Sequence, residues 1–209
     1  KDSEYYVENL GNLPPKNWYR FCKRVFDILA SLFGLILLAV PMLVIAITIK
    51  CVSKGTILYL QDRLGINGKP IMIVKFRTMI MDAEKKGIQW SNGKSDSRIY
   101  PFGRFLRNTR LDELPQLWCI LKGDMSFVGP RPERECFYNE FETYIHGFSE
   151  RLKVKPGLTG LAQINGGYHL KPEEKILYDV EYMKKRSFWL DIKIIFKTFS
   201  VVFGQKGAK

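Results

Sequence analysis

The sequence predicts an α+β fold that is mostly helical, in which a re-entrant membrane helix hairpin and interfacial amphipathic helices adjoin a cytosolic domain containing a small β-hairpin. Three observations support this fold class. Residues 28–49 carry no charge, Asn67-Gly68 separates two runs of strand-forming residues, and several other segments repeat apolar residues at helical spacing. The chain of 209 residues, 46% of them hydrophobic, has room for one domain beside a membrane segment.

Charge and composition divide the chain into three parts. Residues 1–15 are polar and do not begin with methionine, which indicates a linker or the boundary of a longer protein. Residues 16–54 contain an interfacial helix followed by the apolar stretch. Residues 55–209 form the cytosolic domain.

The segment before the apolar stretch has the pattern of an interfacial helix. Its aromatic and apolar residues fall at helical spacing, and its basic residues lie on the other side. A helix packed on the core of the protein would show the same pattern. The two sets are Trp18, Phe21, Cys22, Val25 and Phe26, and Arg20, Lys23 and Arg24.

The uncharged stretch reaches roughly 33 Å as a straight helix, about the thickness of the hydrocarbon core. Pro41 interrupts it, because proline lacks the N–H that would bond to the carbonyl of Leu37 one turn earlier. The limbs at residues 28–40 and 42–49 are each too short to cross alone. Pro41 is therefore the predicted break of the membrane helix.

Both flanks of the stretch are basic, as cytoplasmic flanks are. A re-entrant hairpin places both flanks in the cytosol, whereas a kinked single-pass helix, the alternative, leaves one outside. A signal peptide is excluded because the run is too long, begins too late and lacks a cleavage site. The basic residues before the stretch are Lys16, Arg20, Lys23 and Arg24, and those after it are Lys50, Lys54, Arg63 and Lys69.

The cytosolic domain should begin with a β-hairpin and continue with short helices. Residues 57–64 and 70–76 flank the Asn67-Gly68 turn. Helices are predicted at residues 79–86, 101–107, 114–121, 133–145, 172–183 and 188–203, with GPRP at residues 129–132 as a rigid turn and the glycine-rich residues 153–167 as a shaped loop.

Composition limits the function classes. The net charge of +12 and a basic end at residues 182–209 suit an anionic lipid surface or a nucleic acid, but the sequence has no zinc-finger spacing, aromatic RNA-binding motif or helix-turn-helix pattern. We therefore expect no nucleic-acid partner. Four cysteines without C-x-x-C spacing indicate free thiols in a reducing compartment. With only two histidines, a histidine-based zinc or Ser-His mechanism is poorly supported.

The acidic pair Asp112 and Glu113 should begin a helix, because Pro115 is acceptable only in a first turn. The positive end of the helix dipole would keep the carboxylates ionised and favour a phosphate nearby. The aspartate could be a nucleophile on phosphorus, a general base or a metal ligand. The surrounding cations exceed the needs of one acidic pair, which favours a phosphate-bearing ligand over surface ion pairing; they are Arg104, Arg107, Arg110, Arg131 and Lys155.

The chain resembles the bacterial sugar transferase family of monotopic polyprenyl-phosphate phosphoglycosyl transferases. The resemblance runs from about residue 23 to residue 198, and its long central motif is highly specific. The matching segments are KRVFDI at residues 23–28, KFRTM at 75–79, RLDELPQLWCILKGDMSFVGPRP at 110–132 and KPGLTGLAQING at 155–166.

This resemblance implies that Asp112 attacks the β-phosphorus of a UDP-sugar, forms a covalent phospho-sugar intermediate and releases UMP, with Glu113 as the second member of the dyad. Mg²⁺ would bridge Asp112 and the diphosphate, and polyprenyl phosphate would then accept the sugar phosphate. The family pattern also implies substrate contacts for the following residues: Arg107, Arg131, Lys155, Gln163 and Asp179.

The resemblance further implies an enzyme that initiates surface glycan assembly at the bacterial cytoplasmic membrane, with membrane phospholipids as partners and the catalytic domain on the cytosolic face. Two other readings remain: a conventional glycosyltransferase, which would release UDP, and a non-catalytic adaptor at a lipid surface. The motifs select neither a sugar nor an oligomeric state.

Overall fold

The computed structural model describes residues 4–14, 16–81, 83, 96–166 and 170–203. Within them the fold is α+β, as predicted. The helices are α1 Asn17–Leu37, α2 Ala39–Val52, α3 Pro101–Thr109, α4 Gln116–Lys122, α5 Glu135–Glu142, α6 Leu161–Ile164, α7 Pro172–Lys185 and α8 Phe188–Phe203. The strands are β1 Tyr5–Tyr6, β2 Leu58–Leu64, β3 Pro70–Phe76, β4 Ser126–Val128, β5 Ile145–His146 and β6 Gly157–Thr159.

The predicted β-hairpin is confirmed as the antiparallel pair β2–β3, whose register runs from Leu58 opposite Phe76 to Leu64 opposite Pro70. Its turn requires left-handed backbone at Asn67 (φ 57°) and Gly68 (φ 72°), which these two residue types adopt at little cost. The other strands form two short parallel pairs, β1–β5 and β4–β6.

Three apolar clusters hold the elements together. The largest lies among α5, α7 and α8, and the second joins β3 to α4 through residues such as Ile73 and Ile120. The third brings Ile49 of α2 against Phe76 of β3 and Leu106 of α3. The second limb of the apolar stretch therefore packs on the domain that carries α3.

The apolar stretch bends at Leu38, where α1 and α2 meet at 59°. Pro41 is the third residue of α2, so its missing N–H falls in a first turn, and the break lies one turn earlier. In an unbroken helix the proline ring would clash with the carbonyl of Leu37. The predicted limbs 28–40 and 42–49 are thus wrong in their bounds. Among the described residues, no helix alone has the length and apolar composition of a membrane span, whereas α1 and α2 together do.

Helix α1 separates basic and aromatic residues as the sequence predicts, except that Phe26 turns towards the domain, with its ring centre 5.9 Å from that of Phe127. Its polar side faces the domain, because Lys23 Nζ donates to the carbonyl of Val128 (2.9 Å) and Arg24 donates to two carbonyls at the end of α4. Trp18 and Phe21 remain 76% and 62% exposed. The outward face of α1 is therefore apolar, the reverse of a helix at the surface of a soluble protein.

Helices α3, α7 and α8 confirm three predicted helices, with α3 and α7 each two residues longer than predicted. The prediction of a helix over residues 133–145 is wrong at both ends, because Ile145 leaves the helix to pair with Tyr5 in the β1–β5 pair. Residues 4–14, inside the predicted linker, also pack on the domain core through Val7, Leu10 and Leu13.

Two further predictions need correction. Residues 153–166 are not wholly irregular, since they contain β6 and α6, and Ser126 of β4 pairs with Gly157 of β6. The predicted helix at residues 79–86 does not begin at Met79, which forms an isolated bridge to Ile99. Residues 82, 84–86 and 167 of these predicted segments lie outside the described residues.

Candidate active site

Asp112 and Glu113 lie in a single 3-10 turn, Leu111–Glu113, between α3 and α4. Arg110 adopts left-handed backbone (φ 59°) and ends α3, which turns the chain into the 3-10 turn. Pro115 caps α4, so the helix begins at Gln116, after the acidic pair. The expectation that the pair begins the helix is wrong: the carboxylates lie one turn before it.

Glu113 is held by two cations. Its Oε1 accepts a hydrogen bond from Arg131 Nη2 at 2.5 Å and another from Lys75 Nζ at 3.4 Å. Burial by itself raises the pKa of this carboxyl, but Arg131 and Lys75 outweigh burial and hold the pKa well below its usual range. Glu113 is therefore an ionised anchor for Arg131.

Asp112 has a different environment although it is the neighbouring residue. It is 8% exposed and makes no hydrogen bond or ion pair with any residue that the structure describes. Burial, followed by the negative charge of Glu113, raises its pKa to about 6, and Lys75 and Arg107 offset only part of this rise. The net pKa of Asp112 is therefore raised, although the carboxylate remains ionised at neutral pH as the sequence-based expectation requires.

Arg107 reaches the acidic pair from α3. Its Nε donates to Thr78 Oγ1 at 2.8 Å, which fixes the guanidinium beside the end of β3, and its charge acts on Asp112. A Cβ on Gly103, one turn earlier on α3, would lie 2.2 Å from the carbonyl oxygen of Thr78. The glycine therefore allows α3 to approach β3 closely enough for this contact.

Arg131 is carried by the GPRP turn, which packs directly on residues 155–159. The N–H of Gly129 donates to the Thr159 carbonyl and the N–H of Gly157 donates to the Pro130 carbonyl, both at 2.9 Å. A Cβ on Gly129 would lie 2.4 Å from the carbonyl oxygen of Lys155. The glycines therefore allow the GPRP turn and residues 155–159 to pack in direct backbone contact. This contact places Arg131 beside Glu113.

Three other predicted substrate residues make no hydrogen bond or ion pair with Asp112 or Glu113 in the described structure. Burial and the charge of Arg24 on α1 lower the pKa of Lys155, and the negative charge of Asp27 offsets part of this shift. Gln163 has a buried amide without a hydrogen-bond partner among the described residues. Asp179 is 1% exposed and lies 2.8 Å from Arg151, yet burial outweighs that cation and raises its pKa to about 6.

Sequence reasoning missed Lys75 as a member of the site. Ile73, Lys75 and Arg77 alternate along β3 and into the following residue, so their side chains share one face of the hairpin. Ile73 and Arg77 are buried, which makes Lys75 a cation on an inward face. The alternation along β3 could have indicated that Lys75 points inward. Using it required knowledge of the register of the hairpin.

The described residues contain no group of three acidic, histidine or cysteine side chains that could hold a metal by themselves. Mg²⁺ is usually held by one or two carboxylates together with substrate phosphates and waters. Asp112, a buried carboxylate whose side chain has no hydrogen-bond or ion-pair partner among the described residues, fits such a shared site. Its assignment as a metal ligand stays a prediction.

Comparison with known proteins gives a consistent result. The sequence model of the family described as bacterial sugar transferase matches residues 18–205. The chain is 38% identical over 212 residues to a UDP-N-acetylgalactosamine-undecaprenyl-phosphate N-acetylgalactosaminephosphotransferase of Aeromonas hydrophila, covering 100% of this chain and 50% of that protein.

Two further relatives act on other sugars. A UDP-glucose:undecaprenyl-phosphate glucose-1-phosphate transferase of Klebsiella pneumoniae is 46% identical over 192 residues, which cover 89% of this chain and 41% of that protein. An undecaprenyl-phosphate galactose phosphotransferase of Salmonella typhimurium is 37% identical over 219 residues, which cover 98% and 45%. The chain spans about half the length of these curated relatives.

Proposed function

The chain belongs to the bacterial sugar transferase family, and from this membership we propose that it transfers a sugar-1-phosphate from a UDP-sugar to polyprenyl (undecaprenyl) phosphate. The relatives' names support a UDP-sugar donor and an undecaprenyl phosphate acceptor. They differ in the sugar, so the proposal extends to the class of donor only. The transfer would initiate assembly of a surface glycan such as an exopolysaccharide, a capsule or an O-antigen.

The observation that carries the proposed mechanism is the asymmetry of the acidic pair. Both residues are 8% exposed, but Glu113 is engaged by Arg131 and Lys75, whereas the Asp112 side chain has no such partner in the described structure. Two carboxylates whose environments move their pKa values apart commonly have different chemical roles. We assign the free carboxylate, Asp112, as the nucleophile and Glu113 as the group that orients the cations.

In the first step an oxygen of Asp112 attacks the β-phosphorus of the donor. The bond between that phosphorus and the bridging oxygen breaks, UMP leaves with the bridging oxygen, and the sugar phosphate becomes esterified to Asp112. In the second step a phosphate oxygen of polyprenyl phosphate attacks the same phosphorus. Asp112 leaves as a carboxylate, and the product is a polyprenyl diphosphate sugar.

The surrounding cations would neutralise charge on the diphosphate. Arg131, Arg107 and Lys75 converge on the turn that carries Asp112, so they can contact phosphate oxygens on the atom under attack. Bound Mg²⁺, held by Asp112 and the diphosphate, would supply further charge neutralisation. Arg131 is both held by Glu113 and directed towards the site, which makes it the principal substrate-binding candidate.

We further propose that α1 and α2 enter the cytoplasmic membrane as a re-entrant hairpin, with the catalytic domain on the cytosolic face. The outward apolar face of α1 and the exposed Trp189 and Phe196 of α8 suit contact with phospholipid. If both ends of the α1–α2 hairpin stay in the cytosol, the cysteine introduced by Glu4→Cys and the native Cys51 should both be inaccessible to an impermeant maleimide in intact cells. Labelling of only one would favour a crossing.

The nucleotide product tests the proposal. Purified protein with Mg²⁺, a panel of UDP-sugars and undecaprenyl phosphate should release UMP with at least one donor. Asp112→Asn should abolish that release, while Asp62→Asn on β2 should not. Release of UDP would indicate a conventional glycosyltransferase, and vesicle binding without donor loss would indicate an adaptor.

A further inference from the structure

The GPRP turn and its flanking residues are held by three cations from different parts of the chain. Lys23 Nζ donates to the carbonyl of Val128 at 2.9 Å, Arg151 Nη2 to that of Arg131 at 2.9 Å, and Arg63 Nη1 to that of Pro132 at 3.3 Å. Each cation also forms an ion pair of its own, with Asp191, Asp179 and Glu133, respectively.

Arg151 is the most deeply buried of the three cations. Its side chain and that of Asp179 are each 1% exposed, and their charged atoms lie 2.8 Å apart. Only the carbonyl of Arg131 adds a hydrogen bond, because Arg151 Nε and Nη1 have no partner among the described residues. The guanidinium lies 4.9 Å from the ring centre of Phe148, which compensates part of this deficit.

Such a pair is poorly suited to stabilising the fold. Burying two charges costs several kcal/mol for each ion, and replacing a buried pair by apolar residues of similar volume is often neutral or stabilising. The two nitrogens without partners add to the cost. The contact with the backbone of Arg131 suggests a different role.

We propose that Arg151 and Asp179 are positioning residues that fix the backbone of Arg131, so that its guanidinium reaches Glu113 and the donor diphosphate. The contacts form a continuous chain: Asp179 holds Arg151, Arg151 holds the Arg131 carbonyl, and Arg131 Nη2 lies 2.5 Å from Glu113. This inference rests on the proposed function. It places Asp179, predicted to contact substrate, two contacts away from the site.

The consequence for the reaction is geometric. A displacement of about 1 Å of a group that orients the reacting atoms can lower the rate about 100-fold. Loss of the Arg151 contact frees the carbonyl of Arg131 within a turn whose other hydrogen bonds remain. Loss of this contact should therefore lower the transfer rate while the protein remains folded.

The first test compares stability with activity in the full chain. The double variant Arg151→Met with Asp179→Leu should melt at or above the wild-type temperature, yet its kcat for UMP release should fall roughly 10- to 100-fold. Arg186→Lys is the control, since Arg186 is also buried and donates to a carbonyl, that of Pro14, remote from the acidic pair. A folded double variant with the wild-type rate would overturn the proposal.

A double-mutant cycle distinguishes action through Arg131 from a general effect. In an Arg131→Ala background, Asp179→Asn should change kcat less than two-fold, whereas in the wild-type background it should lower kcat clearly. Equal effects in the two backgrounds would contradict a role through Arg131. Because Asp179→Asn keeps the shape of the side chain, it serves if the apolar double variant fails to fold.

Hydrogen exchange separates this inference from the proposed function. In Asp179→Asn, amides of residues 126–134 should exchange faster than in the wild type, while those of α4 should not change. If the wild type releases no UMP, the proposed function fails and exchange alone decides the inference. Unchanged exchange in residues 126–134 would then refute it.

Discussion

Asp112 and Glu113 are neighbours in one 3-10 turn, yet Glu113 accepts hydrogen bonds from Arg131 and Lys75 while Asp112 has no partner in the described structure. The pKa of Glu113 is held below its usual range, and burial and the charge of Glu113 raise the pKa of Asp112 to about 6. This asymmetry allows the two roles to be tested separately.

The rate of the first step should depend on ionisation of Asp112. With a pKa of about 6, the carboxylate is ionised at neutral pH and becomes protonated as the pH falls below that value. A protonated carboxyl cannot attack phosphorus, so log(kcat/KM) for the donor should fall with a slope near one below pH 6. A flat profile between pH 5 and 7 would contradict this assignment.

Glu113→Gln should move that acid limb to lower pH. The negative charge of Glu113 raises the pKa of Asp112, and a neutral amide removes this effect. The plateau rate should also fall, because Arg131 loses the carboxylate that holds it. Glu150→Gln, which disrupts the separate ion pair with Lys153, serves as the control and should leave the limb in place. If the acid limb of Glu113→Gln stays at the same pH or moves to higher pH, the proposed effect of the Glu113 charge on the pKa of Asp112 is refuted.

Asp112→Asn should stabilise the protein at neutral pH while abolishing transfer. Because the folded pKa of about 6 exceeds the ordinary aspartate value of 3.8, ionised Asp112 destabilises the folded state above pH 6, by about 2 to 3 kcal/mol. The cost disappears below about pH 4, where both states are protonated. Thermal melts without divalent ions should therefore show a higher Tm for the variant at pH 7.5 and little difference near pH 4.

The exposed Asp62 provides the comparison for that experiment. Asp62→Asn on β2 should leave the Tm at pH 7.5 at the wild-type value. A variant at position 112 that melts below the wild type at pH 7.5 would contradict the destabilising role of the buried charge.

Arg24 connects α1 to α4, the helix that follows the acidic pair. Its two terminal nitrogens donate to the carbonyls of Ile120 and Leu121, both at 2.7 Å, at the end of α4. Arg24→Gln should lower the free energy of unfolding by about 2 to 3 kcal/mol, since hydrogen bonds from a charged donor are lost. The measurement is thermal unfolding in nanodiscs.

Arg20→Gln is the matched control for Arg24. Arg20 is exposed one turn earlier on α1, and its side chain makes no hydrogen bond within the described structure. Its replacement should change the unfolding free energy little. Equal losses in the two variants would show that charge at the membrane surface, and not the contact with α4, is responsible.

Local patterns predicted those elements whose structure is determined by neighbouring residues. The Asn67-Gly68 turn specified the β2–β3 hairpin, and apolar periodicity specified α7 and α8. The parallel pairing of β4 with β6 was missed, because its strands are only three residues long and lie far apart in sequence. The bend was placed at Pro41 instead of Leu38, since proline perturbs the preceding turn.

The candidate site was likewise only partly predictable, because local motifs identify residues but not their long-range contacts. Asp112 and Glu113 follow directly from the central motif, but motif matching does not tell where a side chain points. Lys155 and Asp179 occur in matching segments, yet Lys155 lies beside Arg24, and Asp179 pairs with Arg151. Lys75 reaches Glu113 only because of the hairpin register, which sequence spacing alone did not fix.

The most direct test of the central claim is the intact mass of the protein after incubation with Mg²⁺ and an accepted UDP-sugar, in the absence of acceptor lipid. Wild-type protein should gain the mass of one glycosyl phosphate, with the ester on Asp112 by peptide mapping, and should lose that mass when undecaprenyl phosphate is added. Product formation by a protein whose mass never increases, or a modified Asp112→Asn variant, would contradict the account.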